Sequence, residues 1–477
     1  MAFAATTPRY GGTLVVELRE TTLTLDPVKW KPGAVENGAN LQIAAAVFDR
    51  LLTLDRFGRF QPGLATEWSH DAGWRRWQFT LRPGVQFSDG TALTSADVAS
   101  ALQELQPGKA TVTATGPRVT VQLAVATPDL LERLASERYF IFRRNAEGLL
   151  VGTGPFYVAE TTGAAGNGGI SRYKLLSNEH CWAGRPFADS LEVNLGVPPL
   201  RQLFDLQLGK ADVVEIAPDL VRRAGQENLR VWSSAPVLLF ALQVNAAGAA
   251  ENDKLRVREE LSLALALSLD RATMASVLLQ KQAEPAASFL PQWLSGYAFV
   301  FGLQSDVPRA KEMIADLAGA TGGTLPRLRL RVDAGGELAK LLAERVAINA
   351  RQAGIAVQVQ PRGVSFDVGH DLSPPSAMVA WRYSSLSERA ELDTMLAALQ
   401  LEPAADEKPF EDAEQLYARE RGLVAERNLI PLVVLPEYVG LGAAVRDWMP
   451  ERWGEWHLAD VWLDGKRDLP AAAPVRR

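Results

Sequence analysis

The sequence predicts a mixed α/β chain of at least two lobes, and three observations carry that prediction. Its 477 residues exceed the roughly 250–300 residues at which a single hydrophobic core stops growing. Short runs of period-two alternation, such as Trp77, Phe79 and Leu81, mark half-buried strands. Near residue 330 a strand, a helix and a strand follow one another. That order predicts a right-handed βαβ crossover and a partly parallel sheet.

Taken in order, Gly11-Gly12 forms a turn feeding an apolar strand at residues 13–18. A polar stretch and a loop rich in Lys, Gly and Pro lead to a helix through Leu41, Ala44, Ala45 and Phe48. Alternating strands at 77–82 and 119–125 flank a second helix. Thr94 is its expected N-cap, with Asp97 three residues on as the capping-box partner. A strand-rich region runs from Gly152-Thr153-Gly154-Pro155 to about Asn245. The Gly-rich tract 163–169 within it reads as a hairpin tip, since a phosphate loop needs a lysine, a hydroxyl and a helix directly after.

From Asn252 the chain turns helical, with Leu261, Ala264, Leu265 and Ser268 on one face. In the βαβ unit, Leu328, Leu330 and Val332 alternate with Arg327, Arg329 and Arg331. Leu338, Leu341, Leu342 and Val346 then lie on a helix that Gly354 closes, and Ile355, Val357 and Val359 alternate again. A last apolar strand, 430–435, precedes Pro436.

Composition narrows the function classes. With 47% hydrophobic and 22% charged residues the chain is ordinarily globular. A net charge of -6 argues against a nucleic-acid binder or a polybasic membrane-surface protein. The single cysteine, Cys181, excludes an internal disulfide; with His180 it reads as part of a loop rather than a nucleophile pair. No apolar run is long enough to span a membrane. Ala2-Phe3-Ala4 has the form of a signal-peptidase site without the segments that should precede it. It reads equally as the end of a removed leader and as an alanine-rich terminus. His70, His180, His370 and His457 are scattered and none pairs at i, i+4, so no zinc site or other cofactor is expected. His370-Asp371 reads as a solvated loop. No Gly-x-Ser-x-Gly, His-Glu-x-x-His or kinase signature occurs, so the chain is expected not to be an enzyme.

An ordered set of motifs resembles the bacterial extracellular solute-binding proteins, family 5, the peptide/nickel group. The most specific block is Phe48-Asp49-Arg50-Leu51-Leu52-Thr53-Leu54-Asp55, Pro62-Gly63-Leu64-Ala65-Thr66-Glu67-Trp68, then residues 77–90 and Leu93-Thr94-Ser95-Ala96-Asp97-Val98. Ser88 departs from the histidine many members carry. Gly152-Thr153-Gly154-Pro155-Phe156, residues 178–186 with Trp182 and Gly184, Gly209-Lys210-Ala211-Asp212 and residues 257–271 keep the family's order.

The resemblance implies a periplasmic-binding-protein-like two-lobed α/β fold with mixed sheets and a small extra domain. The implied division is domain I at 9–42, 151–245 and 436–477, domain II at 43–150 and domain III at 246–435. It further implies the substrate-binding component of an ABC importer, periplasmic or extracellular, a monomer partnered by permease subunits and not by nucleic acid. A small solute (peptide-like, metal chelate, organic anion or saccharide) would sit between domains I and III. A ligand-sensing module for a regulatory partner, or a hydrolase on a two-lobed scaffold, are the alternatives.

Peptide-binding members carry an acidic anchor after a Trp-bearing strand of domain III. The matching stretch, Val379-Ala380-Trp381-Arg382-Tyr383-Ser384-Ser385, has no carboxylate, and Arg382 stands near the anchor's place. A guanidinium there would repel an ammonium and grip a carboxylate, or else bridge domains. Strand alternation puts Trp381 and Tyr383 on one face and Arg382 on the other. Arg19, Glu20 and Thr22 after the first strand, and Arg138 where nickel-binding members contribute a basic contact, complete the candidate ligand contacts that the resemblance implies.

Overall fold

In the computed structural model, residues 7–55, 57–106, 109–163, 170–244, 252–303, 305–320, 325, 328–332, 335–361, 375–401 and 411–465 are described. The strand after Gly12 is Thr13–Glu17, which runs parallel to both Ser190–Asn194 and Val213–Ile216. Leu14 and Val16 enter the large core of the first lobe. Val15 points the other way, into a smaller cluster with Leu203 and Leu206 of the helix Pro199–Gln207. Strands Phe156–Gly163 and Ile170–Ser177 pair antiparallel on this sheet, as a hairpin requires; its expected tip at 164–169 lies outside the described residues.

A separate four-stranded antiparallel sheet, in the order Ala65–His70, Arg76–Leu81, Arg118–Leu123, Ala110–Thr115, forms the small extra unit. The helix Ser95–Leu105 packs on it, and Thr94 and Asp97 form the expected capping box. Trp77, Phe79, Val98 and Leu102 belong to the same buried cluster as Leu14 and Val16, so this unit shares its core with the first lobe.

Two long antiparallel strands, Arg230–Val244 and Leu429–Leu441, cross between the lobes. The end of Leu429–Leu441 pairs with Val213–Ile216 in the first lobe, while the second half of Arg230–Val244 pairs with Pro375–Arg382 in the second. The expected strand at 430–435 thus continues through Pro436. That proline sits opposite Pro236, at a place where the pairing register shifts on both sides. A missing N–H is tolerated at such an irregular rung.

The βαβ unit is present. Leu328–Val332, the helix Gly336–Gln352 and Val357–Pro361 follow in order, with the two strands parallel. Gly354, at φ +88°, supplies the left-handed turn that ends the helix. Both faces of the second lobe's sheet are covered. Leu239 and Ala241 enter one cluster, whereas Phe240, Leu242 and Val244 enter the other.

Candidate ligand-binding site

A cavity of about 460 Å³ opens where the lobes meet, a volume suited to a small organic molecule. From the first lobe it is lined by Trp30, Lys31, Asn37 and the segment around Thr127, Arg133 and Ser136-Glu137-Arg138-Tyr139. From the second it is lined by Ser384, Ser385 and the helix Glu388–Ala398, including Arg389, Asp393 and Thr394.

Local chemistry holds both walls. The carboxylate of Glu391, fully buried, accepts from the Trp381 indole N–H at 2.6 Å and from the backbone N–H groups of Ser384 and Ser385 at 3.0 and 2.7 Å. Burial raises the Glu391 carboxyl while these three donors oppose that shift, and this one side chain fixes the turn that presents both serines to the cavity. Across the gap, the Leu386 N–H donates to the Ser136 hydroxyl at 2.9 Å, the Glu137 N–H donates to the Ser384 carbonyl at 3.3 Å, and Ser387 donates to Asp129. The lobes are closed on each other along this seam.

The cations near the cavity differ in their partners. Arg133 pairs with Asp129 at 3.0 Å, and Arg389 with Asp393 at 3.6 Å. Arg138 pairs with no carboxylate among the described residues, its buried Nε has no hydrogen-bond partner, and its guanidinium carbon lies 5.9 Å from the centre of the Tyr139 ring. A half-buried guanidinium with unused donors suits a carboxylate or another planar oxyanion.

Among the residues expected to meet a ligand, the cavity wall contains Arg138 but not Trp381, Arg382, Tyr383, Arg19, Glu20 or Thr22. Trp381 and Tyr383 share one face, as alternation requires, and both enter a buried core cluster; the Tyr383 hydroxyl donates to the Phe289 carbonyl at 2.5 Å. Arg382, 1% exposed, is not a free anion grip. Its Nε and Nη2 donate to the two oxygens of Glu437 at 2.8 and 3.2 Å, and its Nη1 donates to Glu137 of the first lobe. Burial works against its charge, but Glu137 and Glu437 outweigh that and hold the guanidinium protonated. Arg382 is the domain-bridging arginine.

Arg19 is likewise committed, its backbone N–H and Nε both donating to Glu215, at 2.6 and 3.2 Å. Burial, with Glu215 and Glu36 nearby, raises the Glu20 carboxyl above its usual range, and Thr22 is exposed. Burial, then the charge of Asp49, pushes the Cys181 thiol up to about 11, a poor nucleophile. His370-Asp371 lies outside the described residues.

Sequence reasoning missed Glu137, Glu437, Glu391 and Arg389. One signal was available, because Glu437 is the lone charged residue in the apolar strand Leu429–Leu441. A charge there demands a partner. Glu137 and Glu391 carry no comparable pattern.

The family model for bacterial extracellular solute-binding proteins, family 5 Middle, matches residues 59–398. The periplasmic murein peptide-binding protein MppA of Escherichia coli (strain K12) is 29% identical over 107 residues, 22% of this chain and 19% of that protein. The nickel-binding periplasmic protein of the same strain is 24% identical over 356 residues, 66% of this chain and 65% of the relative. The matched stretches thus span less than two thirds of either relative. The crystal structure of NikA from Staphylococcus aureus in complex with Ni(L-His)2 superposes with a TM-score of 0.75, covering 95% of this chain and 100% of that one at 15% identity.

Proposed function

The chain belongs to the bacterial extracellular solute-binding proteins, family 5, and from that membership we propose that it is the substrate-binding component of an ABC importer. The solute we assign is a small organic anion, or a metal chelate whose ligands are carboxylates. It sits between the lobes with Arg138 as its charged contact. The observation that carries this reading is the unpaired Arg138 guanidinium in the inter-lobe cavity, beside the cavity-facing Ser384 and Ser385. The Staphylococcus aureus structure is in complex with Ni(L-His)2, a metal chelate in which each histidine carries a carboxylate group.

In this reading the protein binds and releases without turnover, works as a monomer outside the cytoplasmic membrane, and hands its ligand to permease subunits. The division into domain I (9–42, 151–245, 436–477), domain II (43–150) and domain III (246–435) belongs to the same proposal. In its support, the crossing strand Arg230–Val244 ends beside one boundary and Pro436 of the other crossing strand adjoins another.

The test is isothermal titration of the wild type and Arg138→Ala with di- and tricarboxylates and with nickel–histidine. Binding by the wild type, weakened about 10- to 100-fold in the variant, is expected for a lost charge-assisted pair. Equal binding by both proteins removes Arg138 from the site. Binding of neutral peptides or sugars alone overturns the anionic assignment.

A further inference from the structure

Arg382 comes from the second lobe, yet both of its partners lie elsewhere. Glu137 belongs to the first lobe and also lines the cavity, while Glu437 belongs to a crossing strand. Two glycines leave room for the assembly. A Cβ on Gly38 would come within 2.8 Å of Glu437 and 3.0 Å of Arg382, and one on Gly454 within 3.1 Å of Glu437. Behind it, Arg50 donates to Glu455 at 2.9 Å and to the Glu137 carbonyl at 3.2 Å. The cluster therefore holds three carboxylates (Glu137, Glu437, Glu455) and two guanidiniums, with the Glu137 Oε2 buried and unpartnered. Glu137 brings this cluster to the cavity wall, and the buried Arg382 guanidinium lies between Glu137 and Glu437.

We propose that Arg382 is a specificity-determining residue. Its guanidinium fills a cation-binding site formed by Glu137 and Glu437, and so closes that site to ligands bearing a guanidinium or primary ammonium head. This rests on reading the inter-lobe cavity as the ligand site. It predicts that a single substitution converts a closed acidic site into an open one, selective for cations that match a planar carboxylate pair.

The experiment titrates the full chain, wild type and Arg382→Ala, with methylguanidinium, ethylammonium and neutral methylurea, read by calorimetry and by Tm. Arg382→Ala is expected to bind methylguanidinium at least about tenfold more tightly than the wild type, and to regain Tm with it while ignoring methylurea. A folded Arg382→Ala that binds methylguanidinium no better than the wild type, or methylurea equally well, overturns the proposal. Should that variant not fold, Arg382→Ala/Glu137→Gln removes one stranded acid. It should still take methylguanidinium through Glu437 and lose it on adding Glu437→Gln; indifference to methylguanidinium overturns the proposal. If neither folds, recovery of folded Arg382→Ala on refolding with methylguanidinium supports the site, and no recovery rejects it. No natural ligand is used, so failure here is distinct from failure of the carboxylate assignment at Arg138.

Discussion

Gly33, at φ +68°, lies so close to Trp381 that a Cβ on it would come within 2.1 Å of the indole ring. The Gly33 carbonyl also accepts the Arg382 N–H at 2.9 Å. The contact joins first lobe to second, so the sheet strand that carries Trp381 is seated on the partner lobe's backbone. Gly33→Ala adds both a clash and an unfavourable left-handed conformation. Because separation of the lobes relieves the clash, the expected result is an opened protein. Small-angle scattering should show a larger radius of gyration, and affinity for the proposed solute should fall about tenfold or more. An unchanged radius and affinity would show that this seam does not govern closure.

Glu391→Ala should loosen the cavity wall and destabilise the second lobe. It strands the Trp381 indole and the Ser384 and Ser385 amides, which all donate to that carboxylate. Leaving such buried donors unpaired costs about 2–4 kcal/mol in all. Chemical denaturation measures this directly, and a loss below about 0.5 kcal/mol would mean water replaces the carboxylate without strain.

Stability should depend on pH through Glu137. Burial raises its carboxyl from 4.5 to about 7, with Glu437 and Glu455 adding to the shift and Arg382 only partly opposing it. The folded state thus holds this proton more tightly than the unfolded chain. The stabilisation is complete below about pH 4.5 and is lost as pH rises through 7. Glu17 and Glu388, also raised to about 7 chiefly by burial, act in the same direction. Thermal unfolding from pH 5 to 8 should show a falling Tm, with a shallower fall in Glu137→Gln. An identical pH profile in that variant would exclude Glu137 as a contributor.

Thr94→Ala removes the hydroxyl that accepts the Asp97 N–H at 3.2 Å and donates to the Asp97 carboxylate. A loss of about 1 kcal/mol is expected from this N-cap. Ligand affinity should not change, since Thr94 does not line the cavity. Equilibrium denaturation paired with titration separates the two effects.

Much of the fold was legible in the order of residues. Alternation located the strands Arg76–Leu81 and Arg118–Leu123, and the Thr94–Asp97 spacing placed a helix start. The βαβ unit at 328–361 appears in the expected order and orientation. These features are local, set by backbone sterics and by side-chain periods of two and 3.6. The site was less legible. Arg138, singled out from the sequence, lines the cavity, while Trp381 and Tyr383, named beside it as candidate ligand contacts, lie in a buried core cluster.

The reason is separation along the chain. Residue order alone determined the α/β class, the βαβ unit, the N-cap and, through a set of ordered motifs, the family. Only the tertiary structure decided what Arg382 faces, because Glu137 lies 245 residues away and Glu437 lies 55. A charge's effect depends on the carboxylates and dielectric around it, and those are set by how the two lobes close.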